Sequence, residues 1–167
     1  YRTGQLDLPS DAVKWSVSGY RLPTEAEWEF AARGGTKSQG YTYSGSNTID
    51  GVAWYSVNSG NNTHPVSTKG ANELGLYDMS GNVFEWCWDW KGAYSSTGQT
   101  DPKGPISGTY RVLRGGSFFV YDYYCRVAYR VSGYLPLSRY LNLGFRCVQA
   151  GSGTVAQSPP TVSTITA

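Results

Sequence analysis

Leu74–Trp90 reads LGLYDMSGNVFEWCWDW, and it fixes the centre of the chain. Trp86, Trp88 and Trp90 recur at period two, the spacing of a strand with one buried face, since successive side chains on a strand point to opposite sides. A tight glycine turn at Gly81 precedes that strand. Upstream, Tyr20–Gly35 reads YRLPTEAEWEFAARGG: Thr24 with Glu27 three residues on is a capping box, and Gly34 and Gly35 are a stop. The spacing predicts a helix over 25–33 with Trp28, Ala31 and Ala32 facing the core and Glu25 and Glu29 in solvent. Residues 40–72, dense in Gly, Asn and Ser, read as ordered loop with one short strand at Val52–Tyr55. Further strands are expected at Tyr110–Leu113 and Phe145–Val148, and no internal repeat is visible.

The composition agrees with an irregular α+β chain. The sequence has 167 residues, enough for one domain with a substantial core and too short for two ordinary ones. With 21 glycines and 15% aromatic residues, many turns must be packed under large rings, and long helices are scarce. A net charge of +2 without a Lys/Arg stripe argues against nucleic acid as a partner. No apolar run reaches the ~20 residues of a membrane helix, so no membrane insertion is expected in this segment. The domain is assigned to residues 1–150; residues 151–167, uncharged and rich in Gly, Ser, Thr and Pro, read as a flexible tail or linker. Cys87, Cys125 and Cys147 lack paired zinc-type spacing; they read as small buried residues, or with one disulfide closing Cys125 to Cys147. The single histidine, His64, reads as a surface residue rather than a catalyst.

Ser117–Leu143 (SFFVYDYYCRVAYRVSGYLPLSRYLNL) departs from the rest. It holds six of the 14 tyrosines and no Lys, Glu, Gln, Met or Trp, although all five occur elsewhere in the chain. Those five lie outside the set encoded when both adenines of an AAC or AAT codon are randomised, whereas Phe, Val, Tyr, Asp, Ser, Gly, Leu and Asn lie within it. Tyrosine with small Gly and Ser between is also what binding surfaces select, because Tyr gives contact area at low entropic cost. An exposed aromatic patch of this kind is an aggregation liability unless it binds something.

YRLPTEAEWEFAARGG, LGLYDMSGNVFEWCWDW, RVLRGGSF, CRVAYR and GFRCV, in this order over residues 19–148, resemble the formylglycine-generating-enzyme (sulfatase-modifying-factor) family. The resemblance implies that family's variant of the C-type lectin fold: little regular secondary structure, a small antiparallel sheet and one short helix. It also implies a further strand and helix ahead of the first residue here. The enzymes hold Cu(I) on two thiolates between the RGGS and RxAxR motifs; here only Cys125 lies in that interval, and relatives that use iron recruit several histidines where this chain has His64 alone. Neither copper nor iron is therefore expected, nor an enzyme.

A second branch with this fold is more similar: the variable proteins of diversity-generating retroelements, whose lectin-like domain displays positions altered by adenine-specific template copying. Gly115, Gly116, Ser117, Cys125, Arg126, Val127, Ala128, Arg130, Pro136, Arg139, Gly144, Phe145 and Arg146 correspond to its fixed scaffold, and Leu143 to core. The varied, ligand-binding positions would be Phe118, Phe119, Val120, Tyr121, Asp122, Tyr123, Tyr124, Tyr129, Val131, Ser132, Gly133, Tyr134, Leu135, Leu137, Ser138, Tyr140, Leu141 and Asn142. Arg126, Arg130 and Arg139 are expected to hold the irregular backbone through its carbonyls. Asp78, Glu85 and the carbonyls of Gly81 and Val83 match calcium-binding positions of the enzymes, which would make calcium a structural ion here. The expected partner is a protein or cell-surface ligand, at a cell surface or on a phage or virus. A copper oxidase or related oxygenase, and a structural module of a larger surface protein, are the alternatives.

Overall fold

The computed structural model describes residues 11–131 and 134–150 and the pair Val162–Ser163. Among the described residues there are one α-helix, α1 (Glu25–Ala32), and two three-stranded sheets, set in long ordered loops. The first sheet orders β1 (Gly19–Arg21), β5 (Cys147–Ala150) and β6 (Val162–Ser163) side by side, all antiparallel. In the second, β2 (Phe84–Trp90) is central, antiparallel to β3 (Arg111–Arg114) and parallel to the two-residue β4 (Leu143–Gly144).

The predicted capping box is present. Thr24 Oγ1 accepts from the Glu27 amide at 3.2 Å, and the Glu27 carboxylate accepts from the Thr24 amide at 2.8 Å. Glu27 is also clamped by both terminal nitrogens of Arg21 at 2.6 Å, which fixes the entry to the helix. Trp28, Ala31 and Ala32 face the core as predicted, with Met79, Cys87, Val112 and Val127. Glu25 and Glu29, expected in solvent, are ion-paired, and only Glu29 keeps part of its exposure. Glu25 is buried, 2.7 Å from Arg130 and 2.9 Å from the Tyr94 hydroxyl, and Glu29 pairs with Arg33 and with Arg114. The reason is tertiary: β3 carries Arg114 beneath the helix, so the two acids neutralise a buried cation.

The tryptophan strand forms, but both of its faces are covered: Glu85, Cys87 and Asp89 are buried, as is Trp88, while Trp86 and Trp90 remain half-buried. Strands stand close to both other predicted positions, at Arg111–Arg114 and Cys147–Ala150. Val52–Tyr55 is not a strand; the chain makes a 3-10 turn at Ile49–Gly51 and buries Val52, Ala53 and Tyr55 as loop residues. Of residues 151–167 only Val162–Ser163 is described, paired with Cys147–Val148; the rest of the predicted tail lies outside the described residues. All three cysteines are free thiols, so Cys125 and Cys147 do not close the segment between them.

Candidate ligand-binding surface

The RVLRGGS motif builds the support for residues 118–142. Arg114 is fully buried and donates to the carbonyls of Tyr129 (2.7 Å), Val127 (2.9 Å) and Ala128 (3.3 Å) while its other side meets Glu29 and Glu25. One guanidinium thus ties three loop carbonyls to α1. Gly116 follows at φ +79°, and a Cβ there would stand 2.5 Å from Cys125 Sγ, so only glycine lets the loop close over that thiol. Ser80 Oγ donates to the Cys125 carbonyl at 2.8 Å, and the Val127 amide to the Thr42 carbonyl at 3.0 Å. Of the arginines expected to hold this backbone, Arg130 does so, donating to the Gly92 carbonyl and pairing with Glu25. Arg126 and Arg139 are exposed, and the main role falls to Arg114.

On that support Phe119, Tyr121, Tyr123, Leu135, Leu137, Tyr140 and Leu141 are 41–90% exposed, a density of solvent-facing apolar side chains unusual for one 25-residue stretch. Asp122 is exposed and accepts from the Tyr43 hydroxyl at 3.3 Å. Tyr123, Tyr124 and Tyr129 form one cluster, with ring centroids 3.9, 4.9 and 5.9 Å apart. Val120, Tyr129 and Tyr134 are half-buried and lie against Phe84, Leu113 and Val131, which joins the 119–129 and 134–142 halves over one floor. Leu143, assigned to core, is half-buried and packs there too. Ser138 and Asn142 are half-buried, and the Asn142 carbonyl accepts from the Phe84 amide at 2.8 Å.

Two members of the predicted set do not face solvent. Phe118 is buried, its amide bonded to the Asn82 carbonyl and its carbonyl accepting from Ser59 Oγ, both at 2.8 Å. Val131 is buried beside Phe84 and Leu113, its carbonyl held by Lys91 at 2.7 Å. Both are floor rather than surface, because each stands where the loop crosses the sheet edge. Ser132 and Gly133 lie outside the described residues. Sequence reasoning missed two contributors to this face, half-buried Trp86 and exposed Phe145. Period-two patterning places Trp86 on a strand with one buried face, and Phe145 reads as the first residue of a strand and as scaffold.

Around the glycine turn, Asp78, Gly81 and Asn82 all have positive φ (+57°, +80° and +61°). A Cβ on Gly81 would stand 2.3 Å from the Trp54 carbonyl, so this turn is tied to its neighbour by close approach. Asp78 is buried; its Oδ2 accepts from the Ser67 amide at 2.8 Å, and its Oδ1 has no hydrogen-bond partner among the described residues. Burial pushes the Asp78 carboxyl up, opposed by the Ser67 amide and Arg146. Glu85 accepts from Arg146 Nε (2.6 Å) and Trp28 Nε1 (2.7 Å) on one oxygen and from Arg146 Nη2 (2.5 Å) on the other. The orphaned, buried Asp78 oxygen is chemistry a hard cation fits, while both Glu85 oxygens already pair with the buried Arg146 guanidinium.

Cys125 is fully buried, and desolvation pushes its thiol up to about 12. A thiol so placed is a poor nucleophile or metal ligand at neutral pH. His64 is half-buried at the surface. It stacks on Trp54 with centroids 3.7 Å apart, and its Nε2 lies 2.8 Å from the Ser59 carbonyl.

Comparison with known proteins places this geometry. Residues 7–151 match the model of the sulfatase-modifying factor enzyme 1-like domain. The formylglycine-generating enzyme of Streptomyces coelicolor is 39% identical, over 93% of this chain and 58% of its own. "Chaperone protein LppX" of Paenibacillus barcinonensis is 46% identical over 65% of this chain and 44% of its own. Among solved structures, Treponema denticola variable protein 1 superposes with a TM-score of 0.74 at 47% identity, over 80% of this chain and 49% of the other. The chain spans about half the length of these relatives. By its matched length, its motifs and its one-helix, small-sheet architecture, this chain belongs to the sulfatase-modifying factor enzyme 1-like family and has that family's C-type lectin fold.

Proposed function

We propose that the chain is a non-catalytic ligand-binding domain whose Tyr-rich face, within residues 118–142, is diversified by a retroelement and recognises a protein or cell-surface ligand. The observation that carries this reading is the exposure of seven large apolar side chains in the codon-restricted stretch, directly above a motif buried without exception from Arg111 to Phe118. A rigid scaffold fixes the backbone, and the side chains on it set specificity; no bond is made or broken. Likeness to a variable protein of Treponema denticola supports the diversified branch over the enzymes. The oxidase reading needs two thiolates in one loop, and Cys125 stands there alone with its proton firmly held. The face is suited to a cell surface, phage or virus, where unfamiliar ligands are met.

The deciding experiment is sequencing the coding region from many clones of the source population. Changes concentrated in the first two bases of codons 118–142 are expected, sparing Phe118 and Val131 less strictly than Arg114 or Gly116; an even scatter along the gene would sink the reading. Titration of the reduced protein with Cu(I), followed by thiolate-to-metal absorption, is expected to show no stoichiometric site.

For calcium, we propose a structural ion held by Asp78, Glu85 and the carbonyls of Gly81 and Val83. It would neutralise the buried Asp78 carboxylate and fix the turn ahead of β2. Addition of excess EDTA is expected to lower the melting temperature by several degrees, and an unchanged melt would show that no such ion contributes.

A further inference from the structure

The 134–142 half of the face is not a flat patch. Leu135–Ser138 closes a turn through the Ser138 amide and the Leu135 carbonyl (2.9 Å), and Tyr140 closes the next through the Leu143 amide (3.1 Å). Between these turns and β2 lies a cavity of about 530 Å³ walled by Ser138, Arg139, Tyr140 and Leu141 and floored by Trp86 and Phe145. That volume falls within the ~300–1,000 Å³ typical of ligand pockets and exceeds what one aromatic side chain fills. Part of its wall is tied to the sheet: Tyr140 meets Tyr134 edge-on at 5.7 Å, and the Tyr134 carbonyl accepts from the Arg111 amide on β3 at 3.3 Å. Trp86 is seated on the Phe84–Leu113–Val131 floor. Trp, Tyr and Arg, all present around this open hollow, are the residue types that dominate binding energy at protein interfaces.

The charge around the cavity is one-sided. Among the described residues of the 118–142 stretch the charged groups are Asp122, Arg126, Arg130 and Arg139. Arg130 is neutralised by Glu25 at 2.7 Å, and Asp122 lies on the far side of the face, against Tyr43. Arg139 is exposed at the rim of the cavity itself. An exposed guanidinium beside an apolar pocket complements a carboxylate flanking an aromatic or aliphatic side chain.

We propose that this cavity is the anchor subsite of the binding face: it receives one large apolar side chain from an acidic segment of a protein ligand, with Trp86 and Phe145 as invariant contacts outside the varied stretch and Arg139 pairing with the ligand's carboxylate. The inference rests on the ligand-binding reading above. It divides the face into a fixed anchor, which sets the class of ligand, and the Tyr121–Tyr129 side, which sets its identity. Varied positions Ser138, Tyr140 and Leu141 tune the anchor's shape without abolishing it.

The test uses this chain and three synthetic heptapeptides: a central Trp flanked by Asp and Glu, the same with Ala for Trp, and the same Trp peptide with Lys for the acids. Binding is followed by NMR shifts of the Trp86 indole and Phe145 ring. The acidic Trp peptide is expected to bind at least tenfold more tightly than either control. Phe145→Ala is expected to weaken it about tenfold, and Arg139→Glu to reverse the preference toward the Lys peptide. Preserved amide dispersion in both variants separates lost binding from lost folding. Equal binding of the acidic and Lys peptides, shifts confined to Tyr121–Tyr129, or no binding by any peptide would each overturn the anchor subsite. None of those results touches the diversification reading, which stands or falls on the population sequences.

Discussion

Replacement of Arg114 by Met removes the fully buried cation that ties three carbonyls of the 118–142 stretch to α1. The side chain is fully buried, donates to three carbonyls at 127–129 and faces Glu25 and Glu29. Met keeps the apolar stem but leaves three carbonyls without their donor and two acids short of a counter-charge. Glu25 keeps Arg130 at 2.7 Å and Glu29 keeps Arg33, so the acids are only partly stranded. Removing one partner of a buried ion pair costs about 3–5 kcal/mol. At about 2–4 °C per kcal/mol for a domain of this size, the melting temperature should fall by about 6–20 °C. Arg114→Lys should recover less than half of that, since one ammonium cannot reach three carbonyls and a carboxylate in the geometry of the planar fork. Calorimetry gives the stability, and hydrogen exchange at the Val127 and Val131 amides, bonded to Thr42 and Leu113, gives its location. A melt within about 2 °C of the parent, a shift too small for a lost buried ion pair, would refute the claim that Arg114 carries the loop.

Burial, reinforced by the neighbouring charge of Glu25, pushes the Asp89 carboxyl up to about 6. The folded state then binds this proton more tightly than the unfolded chain, so the Asp89 contribution to stability is fullest below about pH 4 and declines as pH rises to about 6. Asp89→Asn should therefore gain stability relative to the parent between pH 4 and 7, by on the order of 2 kcal/mol, in paired urea titrations. Gly116→Ala should lose about 1–3 kcal/mol from the left-handed backbone alone, plus the clash with Cys125, measured by thermal melting. Tyr121→Ala should shift stability by no more than about 0.5 kcal/mol, and Phe118→Ala should lower it by about 3–5 kcal/mol, although both lie in the same restricted stretch. Equal losses from the two would erase the distinction between surface and floor.

Local signals were legible in the chain. The capping box at Thr24 and Glu27, the period-two tryptophans and the motif order needed only spacing, because caps and strand periodicity are set by neighbours in sequence. The restricted alphabet of residues 118–142 likewise marked the face as a stretch of codons before any coordinate was known. What that stretch could not reveal was which members look outward. Phe118 and Phe119 are adjacent and identical, yet one is buried and the other 65% exposed, decided by the Asn82 carbonyl and Ser59 hydroxyl reached across the fold. Glu25 and Glu29 sit on a helix face that read as solvated, and became counter-ions, Glu25 buried and Glu29 half-buried, because β3, almost ninety residues later, brings Arg114 beneath them. Trp86 and Phe145, almost sixty residues apart in the chain, line one cavity only in the folded structure. Sequence by itself determined the short-range geometry and the restricted alphabet of residues 118–142. Tertiary structure alone decided burial, charge pairing and the walls of the cavity beside β2, since each depends on groups far apart in the chain that meet only when it folds.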